Sequence, residues 1–288
     1  MNEFLASSFA ENVRRLALGL ETLDAGRGTR VGHPIRVVFH DAINGLPRPV
    51  VDRHDSCLHA LLYQPGVADR VDLRFYEAAP PFPSGPRGAG QALDFGSQFR
   101  RVPRRFVPRR ISFPILTQAQ AELAIGALRV RRPSLFPGAA YDLDAGQTGV
   151  RGRVVQAGVA VRWVRVTATL PGGTRVVGRA HGDDRGEFLL LLSPAAGSVG
   201  ELGDPFTVRI TVTARPAPPV PDTPERVLRD PWWDLPAESA DPLDPGDPEL
   251  DPVSSGETMP SGYTATVTRD LEVPLGRVHA ETTPFMLP

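Results

Sequence analysis

Apolar and polar residues alternate along most of the chain with a period near two, in short runs broken by proline, glycine and aspartate. This is the pattern of half-buried β-strands. The first group of runs comprises Ile35-Arg36-Val37-Val38-Phe39, Leu58 to Tyr63 and Val71-Asp72-Leu73-Arg74-Phe75-Tyr76. A turn at Asn44-Gly45 with Pro47 and Pro49 lies between the first two, and a Pro/Gly-rich loop from Ala79 to Gly90 follows the third. Arg105 to Pro114 closes the group, its prolines confining it to an edge or bulged position. Together these runs predict a first β-sandwich over residues 31–115. The second group comprises Gly149–Val155, a long alternating run Val159–Thr169, Arg175–Ala180, Phe188–Leu192, Phe206–Ala214, Tyr263–Thr268 and Leu271–Leu275. It predicts a second sandwich over 146–288. Thr117 to Leu128 favours a turn or two of helix in a linker spanning 116–145. The expected fold class is all-β, with two β-sandwich domains.

Two segments depart from this rhythm. Near the start, Ser8 and Glu11 form a capping box, and Phe9, Val13, Leu16, Leu20 and Leu23 recur at near-helical spacing opposite Arg14, Arg15 and Glu21. This predicts an amphipathic helix within an arm over residues 1–30, ended by Gly26, Gly28 and Gly32, able to pack on its own domain or dock into a neighbouring subunit. From about 215 to 260 the chain is instead dense in proline and acids, with Asp230-Pro231, Asp241-Pro242, Asp244-Pro245, Asp247-Pro248 and Asp251-Pro252 recurring. Such a stretch builds no core of its own. It reads as an insertion in the second sandwich, and the adjacent indoles of Trp232 and Trp233 require some surface to lie on.

Composition fits this picture and narrows the function. The 288 residues include 31 prolines and 28 glycines, and 41% are hydrophobic, enough for about two cores and too punctuated for a mainly helical protein. All 32 cations are arginine, a usage that fits GC-rich coding, and the net charge is -1. That balance gives no global electrostatic case for nucleic acid or an anionic membrane. The single cysteine, Cys57, excludes an intramolecular disulfide framework and suits folding in a reducing cytosol. The first residues lack a basic region followed by an apolar one, and no apolar stretch reaches the ~18 residues of a spanning helix. The expectation is cytoplasmic synthesis without a signal peptide, no membrane insertion, and membership of an intracellular or released particle.

Three constellations bear on chemistry. His33, His40, Asp41, Asp52, His54, Asp55, Cys57 and His59 concentrate metal-capable side chains, yet their spacing matches no zinc signature, and structural or surface roles are the expectation, with no metal assigned. Arg100, Arg101, Arg104, Arg105, Arg109 and Arg110 form a basic cluster with little aromatic interleaving. Its natural counterpart is in the same chain, where ten acids lie between Asp222 and Asp251 against two arginines. The six arginines, with Trp232 and Trp233, are therefore candidates for internal or intersubunit protein contacts rather than for phosphates. His181-Gly182-Asp183-Asp184 with Glu187 offers an acidic turn, too sparse for calcium. No nucleophile elbow, P-loop or dinucleotide fingerprint occurs, so no catalytic residue and no cofactor are assigned.

A strand opening on Gly149-Val150, a short turn, an alternating strand, and then Asp183-Asp184-Arg185-Gly186-Glu187-Phe188 leading into Leu189-Leu190-Leu191-Leu192 together resemble the carboxypeptidase regulatory-like domain, a transthyretin-like β-sandwich. The resemblance covers about residues 146–192. It implies that Asp183 or Asp184 caps a tight turn, that Gly186 takes a backbone angle denied to other residues, and that Phe188 plugs the core. In that family the module is a non-catalytic accessory. The whole chain resembles an accessory part of a phage-tail-like or contractile injection particle, such as a baseplate or cap adaptor. The resulting expectation is a non-enzymatic structural protein whose partners are other protein subunits in an oligomeric assembly. The alternatives are a surface-displayed binding or adhesion module, and a metal-dependent hydrolase built on the histidine-rich region.

Overall fold

A computed structural model describes residues 15–40, 49–54, 56–78, 102–193, 205–221, 223 and 230–288. Among these residues it is all-β apart from one short helix and a 3-10 turn. In the first half, β1 (Leu16–Glu21), β5 (Val51–Arg53), β6 (Leu58–Leu62) and β9 (Val130–Arg131) form one sheet in the order β5-β6-β1-β9. Opposite it lie β4 (Ile35–Phe39), β7 (Arg70–Glu77), β8 (Arg109–Pro114) and β17 (Ala237–Ser239), in the order β17-β8-β7-β4. Leu18, Leu20 and Leu61 from the first sheet meet Val37, Leu73, Phe75, Ile111 and Phe113 from the second in one buried cluster. A small sheet of β2 (Leu23–Asp24), β3 (Thr29–Arg30) and β10 (Ser134–Leu135) adjoins them.

The second half is built the same way. β11 (Gly149–Gln156) is flanked by β12 (Val159–Ala160) and β15 (Glu187–Leu191), and it also pairs in parallel with β19 (Val278–Ala280) and β20 (Phe285–Met286). Facing it are β14 (Val176–His181), β13 (Arg165–Thr169), β16 (Pro205–Ala214) and β18 (Ala265–Pro274), in the order β14-β13-β16-β18. β16 and β18 pair over all ten residues. Val150, Val154, Val166, Ile210, Val212 and Phe285 fill this second core. The run Phe188-Leu189-Leu190-Leu191-Leu192 abandons alternation because β15 is buried on both faces. Leu189 belongs to the first core, and its neighbour Leu190 to the second.

The helix of the linker is real but brief. α1 (Gln118–Leu123) starts at Thr117, whose side chain and that of Gln120 form a reciprocal capping box. The segments on either side of the first sandwich take part in its sheets: β1 pairs with β6 and, from the linker, with β9.

Two expectations are corrected. The predicted N-terminal helix is not formed where the chain is described, since Leu16–Glu21 is strand β1 and Leu23–Asp24 is β2. Leu16, Leu18 and Leu20 also satisfy a period of two, and Gly19 disfavours a helix interior, so pairing with β6 decides between the two periods. Ser8, Phe9, Glu11, Val13 and Arg14 lie outside the described residues, as do Asn44-Gly45 and the loop 79–90. The long strand expected over Val159–Thr169 is broken between β12 and β13. Trp163 there takes φ 61 and turns its indole, 2% exposed, out of the ladder.

Candidate functional site

The proline- and acid-rich segment is the feature that joins the two cores. From residue 230 to 257 it runs as a strap of turns with a short strand at its centre, where β17 adds to β8 in parallel through Ala237, Glu238 and Ser239. Trp232 is 3% exposed and packs with Leu235 of the strap against Tyr76, Val102, Val107 and Trp163. Its ring meets Tyr76 edge-on, with centroids 5.4 Å apart. Trp233 is half-buried beside it. The apolar surface that the Trp232 indole requires is thus supplied by this chain itself, from both halves of the fold.

The acids of the strap divide between the cores. Asp230 pairs with Arg74 of β7 at 2.6 Å, Glu249 with Arg132, and Asp251 with Arg131 of β9 at 2.7 Å, all on the first sandwich. Asp234 pairs at 2.7 Å with Arg162, ahead of β13 in the second, and also accepts from the Trp163 indole at 2.9 Å. Burial raises the Asp234 carboxyl above its usual range, with Arg162 and the indole opposing. Asp251 behaves in the opposite way. Burial disfavours its charge, but the Ser254 hydroxyl and N–H together with Arg131 outweigh that cost and hold it below the usual range.

Glu238 does both jobs at once. One of its carboxylate oxygens accepts from Arg109 Nε at 3.1 Å and from Arg165 Nη2 at 3.1 Å, and the other accepts from Arg109 Nη2 at 2.7 Å. Arg109 stands on β8 of the first core and Arg165 on β13 of the second, so one carboxylate clasps the two modules. Arg109 is fully buried, and every one of its N–H groups has an acceptor. The other three go to the carbonyls of Ser134 (2.6 Å), Val253 (2.6 Å) and Ser254 (2.8 Å). Arg165 also donates to the Trp163 carbonyl at 3.1 Å and lies over the Tyr263 ring.

No protein-family model, curated protein or solved structure matches this chain.

The six-arginine cluster therefore has to be read from its own contacts. Arg100 and Arg101 lie outside the described residues. Arg104 reaches Asp184 at 2.6 Å and Asp183 at 3.3 Å, tying the first half to the acidic turn of the second. Arg105 binds Glu77 at 2.6 Å and Asp142 at 3.2 Å, and Arg110 binds Asp72 at 2.5 Å. Only Arg109 of these meets an acid of the strap. At the turn, Asp183 accepts from the N–H groups of Arg185 (2.8 Å) and Glu187 (3.0 Å), while burial raises its carboxyl above the usual range against those bonds. Gly186 has φ 73, and a β-carbon there would lie 2.7 Å from the Val154 carbonyl oxygen. Phe188 is 4% exposed in the second core.

The metal-capable side chains are dispersed. His59 points inward with Nε2 3.1 Å from the Ile35 carbonyl, and burial lowers its pKa. His54 bonds Ser56 at 2.8 Å, while Cys57 occupies a turn with φ 62. His40 accepts from Arg74 Nε at 2.5 Å, and His33 tilts against Phe106. Asp52, His54 and His59 border a groove of about 490 Å3 beside Leu16, Leu58 and Val130. Asp41 and Asp55 lie outside the described residues, and no group of three or more metal-capable side chains converges among those that are described. No helix there is long and apolar enough to cross a membrane.

Sequence reasoning missed Glu238, Arg165 and Arg131, and it weighed His181 only as part of the acidic turn. Arg165 sits among Val164, Val166 and Ala168, all in the second core, and its alternation could mark it as facing the other way. Glu238 has no local signal, because Leu235-Pro236-Ala237-Glu238-Ser239 resembles the rest of the irregular segment.

Proposed function

We propose that this chain is a non-enzymatic structural protein, an adaptor subunit of a large protein assembly of the phage-tail-like or contractile-injection type, at a baseplate or cap. The observation that carries the reading is the clasp. The buried charges of Arg109, Arg165 and Glu238 are turned inward between the two sandwich modules, with the strap stitched to both, and this is chemistry devoted to geometry rather than to a substrate. A carboxypeptidase regulatory-like identity for residues 146–192 is part of the same proposal, supported by the Asp183-capped turn, the positive φ of Gly186 and the buried Phe188. Its role there is that of a rigid spacer whose outer strands meet other subunits.

Native mass spectrometry and gradient sedimentation of particles from the producing cells test this. The chain should co-sediment with a particle at fixed stoichiometry and dissociate only with its neighbours. A chain that sediments as a free monomer and binds cells or glycans would replace the proposal with the adhesion reading. Copurification of stoichiometric zinc would replace it with the hydrolase reading.

A further inference from the structure

Among the described residues, His181 is the one buried titratable group in the seam that makes no hydrogen bond. It ends β14 and is 1% exposed, and neither Nδ1 nor Nε2 has a partner. Its ring stacks on Phe136, with centroids 3.7 Å apart and planes inclined by 21°. The strap seals this pair. A β-carbon at Gly256, which has φ 78, would lie 2.5 Å from the Phe136 ring and 3.4 Å from His181 Nε2, so only glycine lets the strap approach this closely. The charged groups around the imidazole come from every neighbouring element. Arg109 on β8 and Arg165 on β13 are the cations that oppose a charge on it, and Glu238 on β17 is already shared between those two. On its own strand, Arg179 pairs outward with Glu257, next to Gly256, at 3.8 Å. Asp183, two residues on, is engaged by Arg104.

We infer that the strap is a proton-operated latch: it closes over a neutral His181, and protonation of that imidazole lifts residues 251–257 and loosens the clasp between the two sandwiches. A third cation beside Arg109 and Arg165 would have one carboxylate to answer three charges, with no acceptor within reach of either ring nitrogen. Lifting the strap hydrates the ring and relieves this. Burial together with the two guanidinium groups holds the imidazole neutral well below its ordinary range while the strap is shut. The open form takes up the proton near the ordinary value of about 6.5. The closed form therefore binds fewer protons, and opening becomes more favourable as pH falls through that value.

Amide hydrogen exchange of the full chain, corrected for the intrinsic pH dependence of exchange, reads the latch directly. The amides of β17 and of Ala240, which bonds the Ser112 carbonyl at 2.9 Å, should lose about tenfold in protection between pH 7.5 and 5.5, a window above the ordinary carboxylate values, with His181→Phe separating the imidazole from the raised carboxyls of Asp183 and Asp234. Amides at the centre of the β16–β18 ladder should change little. In His181→Phe, which keeps the stack and cannot be charged, strap protection should be the same at both pH values. Equal loss in that variant, or no loss in the natural chain, overturns the latch. Should His181→Phe fail to fold, the imidazole ¹³C shifts of the natural chain decide. A His181 signal that stays neutral at pH 5.5 in the closed form and appears protonated only in a second, open form supports the inference, and one titrating smoothly near pH 6.5 within the closed form refutes it.

Discussion

Replacing Glu238 with glutamine removes one charge and almost no volume, and so isolates the electrostatics of the clasp. The natural carboxylate accepts three N–H bonds from Arg109 and Arg165 at 2.7–3.1 Å, where all three side chains are nearly inaccessible to water. A glutamine offers one acceptor oxygen and turns an NH2 group toward a guanidinium, so at least one bond becomes a repulsion. Two guanidinium groups would then share the seam with no carboxylate between them. Removing one partner of a buried pair costs about 3–5 kcal/mol, because the remaining charge stays desolvated, and the upper half of that range is expected here, with two cations stranded. Urea unfolding followed by tryptophan emission is the appropriate assay, since Trp163 and Trp232 border the seam. The exposed cross-strand pair Arg209–Asp270, at 2.8 Å, provides the control, and Asp270→Asn should be indistinguishable from the natural chain. Arg165→Met in the Glu238→Gln background should recover part of the loss by removing one stranded cation, a non-additivity that a double-mutant cycle measures. A Glu238→Gln variant no less stable than Asp270→Asn, or strict additivity with Arg165→Met, would refute the clasp.

Other variants probe the supports of the seam. Gly186→Ala places a β-carbon 2.7–2.8 Å from the carbonyl oxygens of Val154 and Val161 at φ 73, and should cost roughly 2 kcal/mol or more. Gly172→Ala, at φ 76 with nothing within 4 Å, should cost about 1 kcal/mol by the same urea titration. Gly152→Ala would put its β-carbon 2.6 Å from the Phe188 ring, so it should destabilise alone and be partly rescued by Phe188→Leu. Phe188→Ala by itself should cost about 3–5 kcal/mol, and a Gly152→Ala penalty unchanged by Phe188→Leu would disprove the contact. Asp251 is held below the usual carboxylate range, so its anchor to Arg131 and Ser254 is present at neutral pH. That contribution starts to be lost near the ordinary aspartate value of about 4 and is gone only beneath the lowered native value. Stability measured against pH should therefore show a smaller acid loss in Asp251→Asn than in the natural chain.

How much of this was legible in the sequence depends on the range of the interaction that decides each element. The strands of both cores could be read because alternation is a local property, and Val71–Tyr76 or Phe206–Ala214 allow one reading only. Leu16–Glu21 allowed two, since Leu16 and Leu20 satisfy both helical and strand spacing, and the deciding partner, β6, lies some forty residues on. The need of Trp232 and Trp233 for a surface was legible from composition, as was the complementarity between arginines and the acid-rich segment. The pairing itself was not. Of the described arginines of the cluster only Arg109 met a strap acid, Glu238; Arg104, Arg105 and Arg110 found acids of the sheets, of the Asp183 turn and Asp142, and other strap acids found Arg74, Arg131, Arg132 and Arg162, which no local pattern singles out.

The clasp also explains why a charged seam stands where an apolar one would serve stability as well. A buried ion pair seldom exceeds a well-packed hydrophobic contact in net free energy, because desolvation offsets most of its attraction. Its distinguishing property is direction. Apolar faces slide over one another at little cost, whereas Arg109 places five N–H groups on acceptors from β17, from residues 253–254 and from Ser134 at once. Glu238 meanwhile fixes the distance from Arg109 to Arg165 through a single carboxylate. Any rotation of one sandwich against the other must break several of these bonds together, while leaving charged atoms buried without partners. The seam therefore admits one relative orientation of the two cores, and β15, with Leu189 in one and Leu190 in the other, hinders translation along it.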